Sequence, residues 1–529
     1  TYRLGIIAKT IGTNHEKAAR YKREPTCGCR VNAIAHPTIR ELIRSLSMKQ
    51  SVSAIPTALA ALVLFASIST GVAQDGPTRT LITNVNIFDG VNETLIENGS
   101  VVIEGNLITG VAGEPLLAAN AMVIDGGGRT LMPGLIDAHW HVMYVGAPLE
   151  ALGNGDMVEL AARAVPKAEA TLMRGFTTVR DMGGPAEGLK KIIDAGVVPG
   201  PRILPSGPPI SQTAGHFDYR AHQAVPASDA DPLSYWYRTR LLSLADGVPE
   251  MLKRVRENLR MGAAQIKIAT GGGVSSVYDP IDVSQFTFDE IKAAVDAAED
   301  WNTYVAVHVF TDEAIRRSIE AGVKSIEHGY FASDETLQLM AEKGVWLDPQ
   351  PFFKGDLEFP DAERTAKFNQ VTDATAEIYT KAKQFGVKIA FGSDFLFNPP
   401  SENQGAQLAR LGTWFSPYEV LKIGTSQNAE LLEQSGPRHP YRDGPLGVIV
   451  EGAYADLILV DYHPYTELTA GNLPWHILFG FNESMITTTI ASGRVLMQDR
   501  ALITLDEEAI TARALELAPG VWDRYQKQF

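Results

Sequence analysis

His139 and His141 stand two residues apart at the end of the run PGLIDAHWH, Pro133 to His141. On a strand, residues i and i+2 point to the same side, so this pair can aim two imidazoles at one point. Imidazole is a good ligand for Zn, Mn, Fe or Co. Three further apolar runs end in matching chemistry: VAVH closing on His308, SIEHG carrying His328, and IAFGSD closing on Asp394. A single strand-end histidine is well explained as a satisfied packing residue. Four histidines and an aspartate at the same end of parallel strands are not.

Lys267 lies inside the apolar run QIKIA, followed by Thr270 and Gly271–Gly273. A charged lysine among apolar strand neighbours is costly, and desolvation lowers its pKa. The neutral amine can take up carbon dioxide to form a carbamate, whose two oxygens can bridge two metal ions. A pairing with a buried carboxylate is the alternative. The three glycines allow loop backbone or substrate to approach closely. His216, in TAGHFD, can hydrogen-bond a substrate carbonyl or carboxylate, or be a solvated loop histidine. Tyr278, after the glycine run, is a candidate oxyanion stabiliser. Arg180, Asp181 and Arg220 are possible charge partners, with scaffold ion pairs the plainer explanation.

These residues need a scaffold that brings strand ends together. Strand-like runs occur at Leu135–His141, Thr177–Asp181, Arg202–Pro205, Gln265–Ala269, Tyr304–Val309, Lys324–Glu327, Val345–Leu347 and Lys388–Phe391. Helical periods lie between several of them. Phe288–Ala298 places Ile291, Val295 and Ala298 on one face, and Asp312–Ala321 follows the capping residue type Thr311. Eight such strands alternating with helices over residues 133–439 predict an α/β fold, a (β/α)8 TIM barrel whose C-terminal mouth gathers the strand ends. A doubly wound sheet is the alternative, weakened because no G-x-G-x-x-G follows a strand. Residues 78–132 and 440–505 are β-rich and turn-punctuated; together they predict a small, discontinuous β-sandwich domain assembled from both chain ends. Residues 506–529 read as a C-terminal helical tail. The connection from Ser206 to Pro249 has the length of a lid.

The chain has 529 residues, 45% hydrophobic and 21% charged, with a formal net charge of −15 and two cysteines. This composition excludes wholesale disorder and a disulfide scaffold. The acidic balance argues against nucleic acid as a partner, because a phosphate backbone needs a basic surface. Basic residues concentrate in 1–47, which reads as an upstream or disordered segment. Residues 48–73 have the order of a secretory signal peptide: Lys49, an apolar centre at Ala58–Ile68, then the small-x-small triplet Gly71-Val72-Ala73. A disordered basic arm with an uncleaved anchor is the alternative. Cleavage after Ala73 gives an exported protein, periplasmic or secreted, without Cys27 and Cys29. No later run has about 18 uninterrupted apolar residues, so no membrane association is expected once the signal is removed.

Taken together, HxH on the first strand, lysine in IKIATGGG, HVF, IEHG and GSD, in that order, make residues 80–500 resemble the metal-dependent amidohydrolase superfamily. The chain is most similar to the branch of prolidase-like metallocarboxypeptidases and ochratoxin-degrading amidohydrolases. The resemblance implies two divalent metal ions, with zinc the first choice. His139, His141 and Asp394 would bind one, His308 and His328 the other, with N-carboxylated Lys267 and a hydroxide bridging them. It implies catalytic roles for Asp394, His328 and Lys267, with Asp394 as general base and then general acid while the hydroxide attacks an amide carbonyl. The implied substrates are small amides carrying a carboxylate: dipeptides, N-acyl amino acids or ochratoxin-like phenylalanine conjugates. His216 and Tyr278 are candidate substrate-binding residues, and a homo-oligomer is expected. Hydrolysis of a cyclic amide such as an imidazolone or hydantoin, or of a lactone, is the nearest alternative. A non-catalytic scaffold is disfavoured because every ligand position is filled.

Overall fold

The computed structural model describes residues 79–220, 239–276, 278–397, 403–461, 483–503 and 507–526. The expected upstream segment 1–47 and signal peptide 48–73 lie outside the described residues. The first strands are β1 (Arg79–Ile87), β2 (Ile96–Glu104), β3 (Leu107–Ala112), β4 (Met122–Asp125) and β5 (Thr130–Pro133). The middle of the chain holds β6 (Leu135–Trp140), β7 (Phe176–Asp181), β8 (Arg202–Leu204), β9 (Ile210–Ser211), β10 (Ser243–Leu244) and β11 (Ile266–Ala269). It continues through β12 (Val305–Thr311), β13 (Ser325–Phe331), β14 (Trp346–Asp348) and β15 (Lys388–Ile389). The last strands are β16 (Leu457–Val460), β17 (Ile486–Ala491), β18 (Arg494–Gln498) and β19 (Ala501–Leu502).

All eight runs read as strands in the middle of the chain are strands: β6, β7, β8 and β11 to β15. They form a parallel three-stranded sheet, β6-β7-β8, and a parallel seven-stranded sheet, β10-β9-β11-β12-β13-β14-β15. Main-chain hydrogen bonds join the three-stranded sheet to the seven-stranded one at both its edges. Ala138 N–H donates to Phe391 C=O and Asp394 N–H to His139 C=O; on the other side Ala264 N–H donates to Pro205 C=O. Every position of β6, β7, β11 and β14 is buried. Parallel strands covered on both faces need such unbroken apolar runs rather than alternation.

Helices supply the outer cover. In Phe288–Glu299 the buried residues include Ile291, Val295 and Ala298, the face expected from their spacing. The helix Asp312–Ala321 begins after Thr311 as expected, but the Thr311 hydroxyl makes no capping bond. Within the lid-length connection after β8, β9 and β10 pair in parallel and extend the sheet beside β11.

Both ends of the chain meet in one nine-stranded sheet, β19-β18-β17-β16-β5-β1-β2-β3, with β4 branching from β1. The junction is the antiparallel pairing of β16 with β5, Leu457 opposite Pro133 through Val460 opposite Thr130. Alternation assigns its faces. Leu131, Leu457 and Leu459 join a core with Ile82, Ile103 and Ile490. Their neighbours Met132, Ile458 and Val460 pack into the core of the parallel sheets. That two-sided burial explains why β16 is apolar throughout, LILV. Residues Glu507–Gln526 form a helix, and among the described residues no helix is long and apolar enough to cross a membrane.

Candidate active site

The residues singled out in the sequence arrive from five strands and meet. His139 is in β6 and His141 directly follows it; Lys267 is in β11, His308 in β12 and His328 in β13. Asp394 lies five residues beyond β15. The four imidazoles and the lysine are buried. Asp394 Oδ1 is 3.4 Å from His139 Nε2 and 3.3 Å from His141 Nε2. Lys267 Nζ is 3.4 Å from His139 Nε2. The His328 ring stands 5.3 Å from that of His139 and 4.5 Å from that of His308, centroid to centroid. His216 stacks on His308 at 3.7 Å and 8°. Tyr278 is not brought with them; it is 47% exposed and outside the residues that line the adjoining cavity.

Burial sets the charge states. Desolvation lowers the His139 pKa to about 3, with the Lys267 charge adding to the effect. It lowers His328 to about 4 and moves His141 and His308 in the same direction. All four rings are therefore neutral and offer lone pairs, the form in which imidazole binds a metal. Desolvation also lowers Lys267 to about 8, against the pull of Glu327 and Asp394. Burial alone would raise Asp394, but His139, His141 and His328 outweigh it and hold the carboxyl below its usual range.

His139, His141 and Asp394 each place a donor atom within 4.8 Å of the others. Neutral imidazoles with an ionised carboxylate are a donor set that divalent metals accept. His139 Nδ1 faces Glu327 Oε2 at 2.9 Å. A ring proton there leaves the Nε2 lone pair toward Asp394 and Lys267, the usual way a carboxylate orients a ligating histidine. The residues present thus fit a metal. His139, Glu327 and Asp348 are equally close to one another, but the two carboxylates of that trio already pair with a cation.

That cation is Arg180, fully buried in β7. Its guanidinium donates to Glu327 Oε1 and Oε2 at 3.0 and 2.9 Å, to Asp348 Oδ2 at 3.3 Å and to Tyr304 Oη at 3.1 Å. It also donates to the Ala138 carbonyl. Burial would raise the Glu327 carboxyl, but Arg180 holds it well below the usual range; burial and Glu327 push Asp348 well above it. Arg180→Met is expected to lower stability by about 3–5 kcal/mol, because it strands two buried carboxylates. Thermal and denaturant unfolding check this, and an unchanged midpoint would contradict it. The other scaffold candidates have partners too: Asp181 accepts from Val142 N–H at 3.0 Å, and Arg220 pairs with Asp218 at 2.7 Å.

Two of the gathered residues have left-handed backbone, His328 at φ 72° and Asp394 at φ 52°. Such conformations are uncommon for residues other than glycine and cost about 1–3 kcal/mol each, and they cluster at functional sites. The cluster forms the polar floor of a cavity of about 620 Å³. Its walls include Phe217, Phe310, Phe352, Phe359, Phe368 and Phe397, and the guanidinium among its lining residues belongs to Arg364. Aromatic walls over a few convergent polar groups are the usual form of a small-molecule site.

Comparison with known proteins agrees with this geometry. Ochratoxinase from Aspergillus niger is 32% identical over 354 residues, 64% of this chain and 71% of the relative. The crystal structure of a prolidase complexed with N-methylphosphonate-L-proline superposes with a TM-score of 0.70 at 34% identity, covering 80% of this chain and 100% of that one. A Xaa-Pro dipeptidase with bound methionine in its active site gives 0.66 at 30% identity, covering 79% and 100%. Residues 130–496, from β5 into β18, match the amidohydrolase family. The sequence motifs, the converging strand ends and that match lead to one conclusion: this chain belongs to the amidohydrolase family and is a hydrolytic enzyme.

Proposed function

We propose that this enzyme is a binuclear-metal-dependent amidase that cleaves the C–N bond of small substrates bearing a carboxylate. Dipeptides, N-acyl amino acids and ochratoxin-like phenylalanine conjugates are its substrate class. The observation that carries this reading is the convergence of His139, His141, Lys267, His308, His328 and Asp394 on the floor of one aromatic cavity. His139, His141 and Asp394 would hold one divalent cation, His308 and His328 a second, with Lys267 as a carbamate between them. Bound there, zinc or a similar metal supplies an activated water and a polarised carbonyl.

The side chains do the rest. Asp394, ionised and beside two neutral imidazoles, takes the proton of the attacking water and returns it to the departing nitrogen. The phenylalanine walls bind a large apolar group and shield the reaction from bulk water. Arg364, whose Nε pairs with Asp361, lines the cavity and is the counter-charge this reading assigns to the substrate carboxylate. The names of the relatives, ochratoxinase and prolidase, support amides that end in a free amino acid. The hydrogen bonds that join the three-stranded sheet at both its edges to the seven-stranded one support a closed (β/α)8 barrel over 133–439, and the nine-stranded sheet shared by both chain ends supports a flanking β-sandwich domain. The reading also has residues 48–73 removed on export and the mature chain a homo-oligomer. N-terminal sequencing and sedimentation of the expressed protein test those two points.

The decisive experiment is a substrate panel after reconstitution with zinc. N-acyl-phenylalanine and Xaa-Pro dipeptides are expected to release the free amino acid. Turnover of imidazolones, hydantoins or lactones alone would replace this reading with the cyclic-substrate one.

A further inference from the structure

His216 is held by Asp279, a residue that belongs to no motif in the sequence. Its Nδ1 is 3.1 Å from Asp279 Oδ2 and 2.9 Å from Ser276 Oγ, and all three side chains are buried. Asp279 Oδ1 is buried too and has no hydrogen-bond partner among the described residues. The loop that carries Ser276 and Asp279 is itself fixed. The buried Lys367 donates from Nζ to the Asp279 carbonyl at 2.9 Å and to the Ser276 carbonyl at 3.3 Å. On the other side, the His216 backbone N–H donates to Gln285 Oε1 at 3.0 Å. The glycine run completes the seat. A Cβ on Gly273 would lie 2.0 Å from His216 Cε1 and Nδ1, and one on Gly272 would lie 1.8 Å from the Pro280 carbonyl oxygen. The ring is thus fixed on one edge by a carboxylate and stacked face to face on His308.

We propose that Asp279 is a positioning residue for His216. A carboxylate accepts and does not donate, so the ring proton sits on Nδ1. That leaves Nε2 as the ring nitrogen that meets the substrate in the cavity His216 lines. The inference rests on the amidase reading, because His216 is then the imidazole beside the scissile amide. The logic is that of any histidine whose tautomer and orientation are set by a buried carboxylate: the partner does no chemistry, yet the wrong tautomer is costly.

The test uses the full chain with metal restored. Asp279→Asn can present an amide N–H to Nδ1 and invert the tautomer. We expect kcat/KM to fall about 10²-fold, with metal content and melting temperature unchanged. Asp279→Glu should recover part of the loss. Gly273→Ala, which pushes the ring out with Asp279 intact, should match His216→Ala. The double variant Asp279→Asn/His216→Ala should be no worse than His216→Ala alone, because the two residues act as one unit. Additive losses, or losses that track metal content or melting temperature, would overturn the proposal in favour of a merely structural Asp279. Nitrogen-15 spectra of histidine-labelled protein give a readout independent of turnover: the His216 proton on Nδ1 in the wild type, displaced in Asp279→Asn. An identical tautomer in both overturns the inference. Absence of amide turnover by the wild type would reject the amidase reading instead, and the spectra would still decide the role of Asp279.

Discussion

Asp394→Asn is expected to reduce turnover by about 10³-fold while leaving the fold in place, within the range that a general acid–base contributes. The substitution keeps size and shape but removes the basic oxygen that lies 3.3–3.4 Å from two imidazoles. The backbone bond from Asp394 N–H to the His139 carbonyl does not involve the side chain, so the turn at φ 52° should persist. Steady-state kinetics and a melting curve measured side by side separate chemistry from folding. Undiminished hydrolysis by the variant would reject the assigned role.

Lys267→Ala carries the second large effect. In β11 this side chain has almost no exposure, and burial brings its pKa to about 8, so the neutral amine is accessible near neutral pH. If it serves as a bridging carbamate, truncation removes two anionic oxygens from between the cations. Metal occupancy and turnover should then fall by at least about 10²-fold, given that even groups behind the ligands are worth 10–100-fold. Short carboxylic acids such as acetate or propionate, filling the space left by the side chain, should restore part of both. Two ions retained at normal activity would count against carboxylation. A loss of activity that no carboxylic acid relieves would favour a lysine that acts through its charge.

Much of this site is legible in the sequence because strand geometry is periodic. His139 and His141 share a face by the two-residue repeat, and His308 closes a short apolar run that reads as a buried strand. Other parts depend on departures from that repeat. Alternation sends Glu327 and His328 to opposite faces. In the structure Glu327 meets Arg180 and His139, while His328 stacks on Phe310 and stands beside His139. The left-handed turn at His328 reconciles the two, and the chemistry of the sequence does not announce it. The same holds for β15, which ends at Ile389 rather than Phe391. There the hydrogen bonds pass from β14, through Ala390 N–H to the Leu347 carbonyl, to β6, through the Phe391 carbonyl to Ala138 N–H.

The buried ion network and the seat of His216 were hidden for another reason. Arg180 reads in sequence as a charge partner, most plainly in a scaffold ion pair, but the sequence does not mark its partners Glu327 and Asp348, 147 and 168 residues downstream. Asp279 lies in a loop with no period at all, 63 residues from the ring it holds. The glycines at 271–273 do carry a signal, close approach, and what approaches Gly272 and Gly273 is the Pro280 carbonyl and the His216 ring. At the chain ends, alternation and turns marked β-rich segments. Only the pairing of β16 with β5 makes them one sheet.

The most direct test of the whole account is a metal count on the purified protein. After dialysis against micromolar zinc, elemental analysis should find two ions per chain, and their removal by chelator should abolish amide hydrolysis until zinc is returned. Hydrolysis that continues undiminished in excess chelator, in protein carrying no stoichiometric metal, would contradict it.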